Sequence, residues 1–240
     1  MNETQKSQKK IGHKIQLVMM VTAILFALPS VIYYTQNKTI LNYPASWTFL
    51  MEHTLNLDAT TGLILFLIAF VFFTAIYFVM IKKQAQVFKS EKQIFYLIIV
   101  ISCFFMLMIP FGSKDVFAYI GNGWIGAHYQ ENPYQMSVGE VQEKYQASQD
   151  VMFENVAPVW RYEKVTYGPV FTMLVTVFSY FSFGNIDLAF CIFKIANLCI
   201  HLGCCWFVYQ ITKKRKFLIL YGLNPVVLLE GLTDVHNDLW

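Results

Sequence analysis

An aspartate followed by aromatic residues stands at the edge of a long apolar run. Residues 113–119 read SKDVFAY, and the preceding apolar residues end only a few positions before Asp115. A carboxylate held beside a substrate hydroxyl can act as a general base. Asp115 is therefore a candidate catalytic residue at a membrane surface. The alternative is structural, since Ser113 or Asp115 can cap the helix that contains Phe117 and Tyr119.

Tyrosine and tryptophan residues recur in the polar segment after Asp115. Their flat apolar faces and polar tips suit stacking on sugar rings. The same properties suit the membrane interface, where Trp and Tyr collect. We expect four of these aromatic residues to bind substrate: Tyr119, Trp124, Tyr134 and Tyr167.

A second polar cluster contains His236 and Asp238 and follows a short apolar run interrupted by Asn224-Pro225. We expect both side chains to bind donor or acceptor near Asp115, and the alternative is a solvated loop. Histidine and carboxylate also form a reasonable ligand set for a divalent cation. Two or three such groups without a further partner do not define a metal site, so the sequence assigns no metal and no cofactor.

The composition is that of a membrane protein. Of 240 residues, 56% are hydrophobic and 14% charged, and the mean hydropathy is +0.46. Soluble domains carry about 25% charged residues. The predicted fold class is all-α, a polytopic transmembrane helical bundle with a large external loop carrying juxtamembrane helices. The net charge of +3 is small and no basic face recurs, so no nucleic-acid partner is expected.

Apolar runs of about 20 residues can cross a bilayer as helices. The sequence predicts spans near 15–34, 61–81, 94–111, 188–211 and 217–232. Lysine and arginine favour the cytoplasmic side of a membrane. Three basic clusters flank the spans, so the N-terminus is expected to be cytoplasmic and the catalytic loop 112–169 external.

The apolar segment 170–183 is too short for an ordinary span. A full crossing would place the basic residues 213–216 on the external side. We therefore expect a partial or re-entrant segment, which is tolerated where protein covers the backbone. The alternative is a short, tilted span that violates the charge rule.

Several short motifs occur in a characteristic order: Asp115 with Tyr119, Asn132-Pro133-Tyr134, Tyr167-Gly168-Pro169, Asn224-Pro225 and His236-Asn237-Asp238. Together they resemble the integral-membrane C-type glycosyltransferases, and most closely the bacterial polyprenol-phosphate-mannose-dependent α-mannosyltransferases. The match covers roughly residue 113 onwards. One departure is Glu131-Asn132-Pro133-Tyr134, which lacks the nearby glycine of the family pattern.

The resemblance implies an inverting transferase of the bacterial cell membrane. It would move a hexose, mannose in the related enzymes, from a polyprenyl-phosphate donor to a cell-envelope glycan or glycolipid on the external face. Asp115 would be the base. Family members continue through further spans, so residues 1–240 are expected to be a single N-terminal membrane module of a longer enzyme.

Three ionisable residues, Asp187, Lys194 and His201, are spaced by seven and so share one helix face. Such groups at membrane depth usually face the protein interior and are functional suspects. Lys194 is expected to neutralise the donor phosphate, and an interhelical ion pair or snorkelling is the alternative. The same stripe would line the pathway of a transporter or channel subunit, one competing function. A non-catalytic fragment of the transferase is the other.

Overall fold

A computed structural model describes residues 3–37, 39–40 and 47–237, and it describes the side chains in these ranges except those of 3–10 and 47–48. Every regular element in this part of the chain is helical. The predicted all-α, polytopic bundle is therefore confirmed. The α-helices, in chain order, are α1 (Glu3–Asn37), α2 (Trp47–Leu55), α3 (Ala59–Lys82), α4 (Gln84–Val87), α5 (Glu91–Leu107), α6 (Asp115–Ala127), α7 (Val138–Tyr145), α8 (Val151–Glu154), α9 (Pro169–Tyr180), α10 (Ile186–Thr212) and α11 (Arg215–Gly222).

Within the described ranges, three helices are long and apolar enough to cross a membrane. They are α1 from Ile11 onwards, α3 and α10, with mean hydropathies of 2.3, 2.9 and 1.8. Counting α11 and the following π-helical segment, Val227–Thr233, as one bent element gives a fourth candidate span. These two pieces meet at 52° on either side of Pro225, whose ring cannot continue regular helical hydrogen bonding. The predicted span 217–232 is thus broken near its middle.

Helix α5 is shorter than the span predicted at 94–111. It has 17 residues and ends at Leu107, which gives a length of about 25 Å at 1.5 Å per residue. Met108 is already extended, with ψ 142°, and Pro110 follows. The chain between α5 and α6 is therefore non-helical, and this connection carries the residues that lead to Asp115.

The three basic clusters lie at one end of the bundle, which we call the basic end. In α1, Gln16, two residues after Lys14, donates to the carbonyl of Val87 at 2.7 Å. At the start of α11, Arg215 pairs with Glu91 of α5 at 2.9 Å. These contacts bring the N-terminal lysines, the 82–92 turn and the 213–216 cluster to the same side.

The opposite end, here called the loop end, gathers the connections after α1 and α5 and the start of α10. Asp187 in the first turn of α10 accepts from Thr39 Oγ1 and the Ile40 amide, both at 2.8 Å. Asn155, after α8, donates to the Ile40 carbonyl at 2.8 Å. Residues 112–169 therefore fold over this end as helices α6 to α8 and a short 3-10 turn, Pro158–Trp160.

Helix α9 begins and ends at the loop end. Its first turn packs Phe171 against Tyr119 of α6, with ring centroids 5.1 Å apart. Only Phe181 to Asn185 separate its last residue from α10, whose first turn binds Thr39 and Ile40. This arrangement is the one expected of a segment that does not cross the bundle, and the position of α9 in the membrane stays a prediction.

Close packing of α6 on α9 depends on glycine. A Cβ at Gly123 would lie 2.3 Å from the carbonyl oxygen of Val175, and one at Gly126 would lie 3.0 Å from the Thr176 methyl. Ser179 of α9 also donates to the Ile120 carbonyl at 3.1 Å. The glycines after Asp115 thus allow helix–helix contact, which fixes the direction of α6.

The described residues form two hydrophobic cores. The bundle core contains Phe26, Phe73 and Phe105, whose ring centroids are 5.5–6.2 Å apart. The loop-end core contains Phe117 and Phe190, whose rings stack at 6.1 Å. Helix α10 contributes to both cores, so it holds the membrane bundle and the folded loop in one arrangement.

Candidate active site

Asp115 is the first residue of α6, but its carboxylate does not cap the helix. The hydrogen-bond partner at the helix start is Ser113, whose hydroxyl accepts from the Asp115 amide at 3.0 Å. The Asp115 carboxylate instead accepts a hydrogen bond from Trp160 Nε1 to Oδ1 at 3.1 Å. The capping requirement alone therefore does not explain why a carboxylate stands at this position.

Asp115 lines a cleft of about 80 Å³ at the loop end. Typical small-molecule pockets are larger, about 300–1,000 Å³. The cleft thus has room for the reacting atoms of a substrate rather than for a whole lipid-linked sugar. The lining residues fall into three groups: from α6 Asp115, Ala118, Tyr119 and Asn122; from the 3-10 turn Trp160; and from the segment before α9 Glu163, Lys164, Val165, Thr166 and Tyr167.

Two of the predicted aromatic residues, Tyr119 and Tyr167, meet in the wall of this cleft. Their ring centroids are 5.4 Å apart and nearly perpendicular. Tyr119 also donates to Asn237 Oδ1 at 3.2 Å. Burial, with smaller contributions from Tyr167 and Asp115, raises the pKa of Tyr119 well above its usual value, so its hydroxyl stays protonated and acts as a donor.

Tyr134 supports the cleft without lining it. Its hydroxyl contacts the Tyr167 carbonyl and Thr172 Oγ1, each at 2.8 Å. Its backbone neighbour Pro133 accepts from the Val165 amide at 3.1 Å. The Asn-Pro-Tyr motif thus fixes the segment before α9 that carries Tyr167.

Trp124 is not brought to Asp115. Its indole Nε1 donates to Asp150 at 2.9 Å, and its ring stacks on His128 at 4.5 Å. It lines a different, open cleft of about 500 Å³ together with residues at the ends of α6 and α9 and just after them: Ala127, His128, Tyr180, Phe183 and Gly184. The expected substrate contact of Trp124 therefore cannot be made in the Asp115 cleft.

The second predicted cluster does come to Asp115. His236 Nδ1 lies 3.7 Å from Asp115 Oδ2, and His236 Nε2 lies 3.6 Å from Glu230 Oε2. Asn237 accepts from Tyr119 as described above. Asp238 lies outside the described residues.

Lys194 is buried away from the cleft and only 4% exposed. Its ammonium donates to three backbone carbonyls, those of Met108, Leu232 and Thr233, at 2.6–2.7 Å. Met108 follows α5, and the other two lie at the end of the π-helical segment. The lysine therefore ties together the two chain segments that lead to Asp115 and to His236, and it has no proton left for a phosphate.

Asp234 completes this connection from the other side. Its Oδ1 accepts from the amides of Phe111 and Gly112, at 2.9 and 3.2 Å. A Cβ at residue 112 would lie 2.4 Å from Asp234 Oδ2, so the glycine permits the approach. We call Lys194 and Asp234, with the carbonyls and amides they bind, the buried clamp.

The remaining members of the polar stripe on α10 are also held by structural contacts. Asp187 binds Thr39 and Ile40, as described, and the buried His201 stacks on Tyr221 at 5.5 Å. Asp187 and Lys194 are thus held by hydrogen bonds, and the His201 ring packs against Tyr221. Nothing in these contacts indicates a transport pathway.

The described residues contain no group of three or more His, Cys, Asp or Glu side chains arranged to hold a metal ion. In the Asp115–His236–Glu230 row, the imidazole stands between the two carboxylates, one at each ring nitrogen. The three side chains therefore form a line of alternating acid and base groups. Their oxygen and nitrogen atoms do not converge on a common point, as the ligands of a metal ion would.

Three residues that contribute to this site were not among the predicted site residues. Glu230 is exposed and contacts His236, Trp160 holds Asp115, and Asp234 binds the connection after α5. An ionisable group inside an apolar, Pro-interrupted run was the available signal for Glu230. The other two contacts join distant parts of the chain, so spacing alone carries no signal for them.

A family model described as alpha-(1->6)-mannopyranosyltransferase, N-terminal domain (MptA_B family), matches residues 11–240. The match includes every described element of the site. No curated protein and no solved structure shows a significant match to the chain.

Proposed function

Because the chain belongs to the alpha-(1->6)-mannopyranosyltransferase family, we propose that it transfers mannose from a polyprenyl-phosphate donor to a cell-envelope glycan or glycolipid, with inversion at the anomeric carbon. The observation that carries this proposal is the position of Asp115. Its carboxylate is not used as a helix cap and faces a cleft at the end of a membrane bundle. A donor held in the bilayer by its lipid reaches that position without leaving the membrane.

The proposed reaction is a single displacement. An acceptor hydroxyl hydrogen-bonds to Asp115, which takes its proton as the oxygen forms a bond to the anomeric carbon. The bond between that carbon and the phosphate oxygen breaks, and its electron pair leaves on the polyprenyl phosphate. Because attack and departure occur on opposite faces, the anomeric configuration inverts. The leaving phosphate already bears charge, so the enzyme has mainly to orient it.

The cleft offers groups for binding as well as for proton transfer. The edges and faces of Tyr119 and Tyr167 suit contact with a sugar ring, and the Tyr119 hydroxyl remains a donor. Lys164 lines the cleft with its side chain half exposed and pairs loosely with Glu140 at 3.5 Å. It is a better candidate for the donor phosphate than Lys194, whose protons are donated to carbonyls.

The proposed orientation places the loop end outside the bacterial cell membrane and the basic end, with the N-terminus, in the cytoplasm. The grouping of basic clusters at one end supports this direction. The donor would then be used on the external face, where acceptor glycans of the cell envelope lie.

The donor class and the stereochemistry can be tested together. Membranes containing the full-length protein are supplied with radiolabelled mannose either as polyprenyl phosphate mannose or as a nucleotide sugar, with the lipid carrier pathway blocked. We expect label in glycan only from the lipid donor, with an anomeric configuration opposite to that of the donor. Transfer directly from the nucleotide sugar, or retention of configuration, would contradict the proposal.

A further inference from the structure

Glu230, His236 and Asp115 form a row that ends at the cleft. The two gaps are 3.6 Å from Glu230 to His236 and 3.7 Å from His236 to Asp115. Hydrogen bonds of catalytic groups are often long in structures without substrate and shorten in the complex. On its other oxygen, Asp115 is held by Trp160. Both carboxylate oxygens of the proposed base therefore face a partner.

The backbone around His236 is built to hold this row. The His236 amide donates to the Glu230 carbonyl at 2.9 Å, which closes a wide turn at the end of the π-helical segment. Single π-type turns occur frequently at functional sites. The turn fixes the two side chains on the same side of the chain.

Val235, between the clamp and His236, has φ 60° and is fully buried. A β-branched residue in this region is a conformational outlier, and such strain persists only where the surroundings determine it. The unusual φ occurs between Asp234 and His236, whose side chains contact different partners. Asp234 accepts from the amides of Phe111 and Gly112, and His236 lies beside Asp115.

Exposure increases along the row. The side chains of Asp115 and His236 are 19% and 23% exposed, whereas that of Glu230 is 56% exposed. Glu230 does not line the cleft. The side-chain contact that links Glu230 to Asp115 is His236.

We propose that His236 and Glu230 are positioning residues for Asp115, a role that rests on the proposed function. Glu230 fixes the orientation of the imidazole, and the imidazole holds Asp115 Oδ2 toward the acceptor hydroxyl. This is the general arrangement in which a catalytic base is oriented by a third group. The histidine motif thus acts on the base and not directly on the sugar.

The test is a double-mutant cycle on the full-length protein in membranes, with kcat and donor KM measured for mannose transfer. We expect Glu230→Gln to lower kcat about tenfold, and His236→Gln about tenfold to a hundredfold, because small misplacements of a catalytic group are costly. Donor KM should stay within about twofold, since neither side chain lines the cleft and a positioning residue acts on kcat rather than on donor binding. The double variant should be no slower than His236→Gln.

Glu154→Gln is the matched control, because Glu154 is exposed on α8, and it should retain wild-type kcat. Glu230→Asp, which keeps the charge but shortens the side chain, should fall between wild type and Glu230→Gln. Losses that multiply in the double variant, a loss confined to KM, or a Glu230→Gln enzyme with wild-type kcat would overturn the positioning role. If the wild-type protein itself transfers nothing from the lipid donor, the proposed function fails, and the positioning role fails with it.

Discussion

We expect the replacement of Lys194 by methionine to lower the Tm of the protein more than a substitution at the surface does. The ammonium donates to three carbonyls at 2.6–2.7 Å, and hydrogen bonds to charged groups contribute about 1.5–3 kcal/mol each. Desolvation of the buried charge offsets part of this sum. Methionine has similar length but leaves the carbonyls of Met108, Leu232 and Thr233 unsatisfied and removes a positive charge that acts on Asp234.

The cost of removing one partner from a buried ion pair, about 3–5 kcal/mol, serves as the guide for a buried ammonium held by three carbonyls. For a chain of this size, each kcal/mol lowers Tm by about 2–4 °C. The expected fall for Lys194→Met is therefore about 6–20 °C. It is measured by thermal unfolding of purified protein in detergent, with loss of the monodisperse peak in size-exclusion chromatography as the readout.

Lys216→Met is the control, since Lys216 is exposed at the basic end and surface changes usually stay within about 0.5 kcal/mol. A Lys194→Met protein that melts within about 2 °C of wild type would refute the clamp. Equal losses for both lysine variants would show that the assay reports net charge and not the buried contacts.

Three further predictions concern packing, pH and topology. Gly123→Ala should destabilise the protein by about 1–3 kcal/mol, the usual cost of overpacking, because its Cβ would lie 2.3 Å from the Val175 carbonyl oxygen. Gly203→Ala is the control, because the space around its new Cβ is open. The Tm of each variant measures the difference. Burial raises the pKa of Asp234, so the folded state binds a proton on this carboxyl group more tightly than the unfolded state does. The bound proton therefore adds to the free energy of unfolding at low pH, and this addition is lost as the pH rises from about 4 toward neutrality. Thermal unfolding across that range should show a flatter pH dependence for Asp234→Asn, and an unchanged slope would contradict the assignment. A cysteine placed at Ser148, which is exposed in the folded loop, should react with a membrane-impermeant maleimide on intact cells, with labelling above that of the wild-type protein. A cysteine placed at Lys214 should react only after the cells are permeabilised. The reverse labelling pattern would contradict the proposed orientation.

The order of the motifs predicted that Asp115 and His236 lie close together. The contacts that bring them together join distant parts of the chain and were not predicted. Asp115 and His236 were both selected from the sequence, and they lie 3.7 Å apart. What brings them together is the buried clamp, which joins the segment after α5 to the end of the π-helical segment. Those contacts involve backbone carbonyls and amides. Almost every residue carries these groups, so the residue types in the sequence do not indicate where such contacts form.

Spacing within a helix explains why Tyr119 lies in the wall of the Asp115 cleft and Trp124 does not. Tyr119 follows Asp115 by four residues, about one turn, so both face the cleft. Trp124 follows by nine residues, about 2.5 turns, which places it on the opposite side of α6. The aromatic composition of the segment alone could not distinguish these two positions.

The three ionisable residues spaced by seven on α10 were predicted to face the interior, and all three contact neighbouring elements. Their partners were not predictable from α10 itself. Lys194 meets the ends of two other elements, and Asp187 meets the segment after α1. A buried ionisable residue therefore indicated an interior contact without specifying whether the partner was a ligand or the backbone.

The most direct test is the rate of mannose transfer by full-length Asp115→Asn protein at saturating lipid donor. Asparagine keeps the shape and can still accept from Trp160, but it cannot take the acceptor proton, so kcat should fall by at least about 10²-fold. Asp58→Asn is the matched control, because Asp58 is an exposed N-cap of α3 and asparagine caps helices equally well. An Asp115→Asn protein that folds and transfers mannose at close to the rate of the control would contradict the assignment of Asp115 as the base.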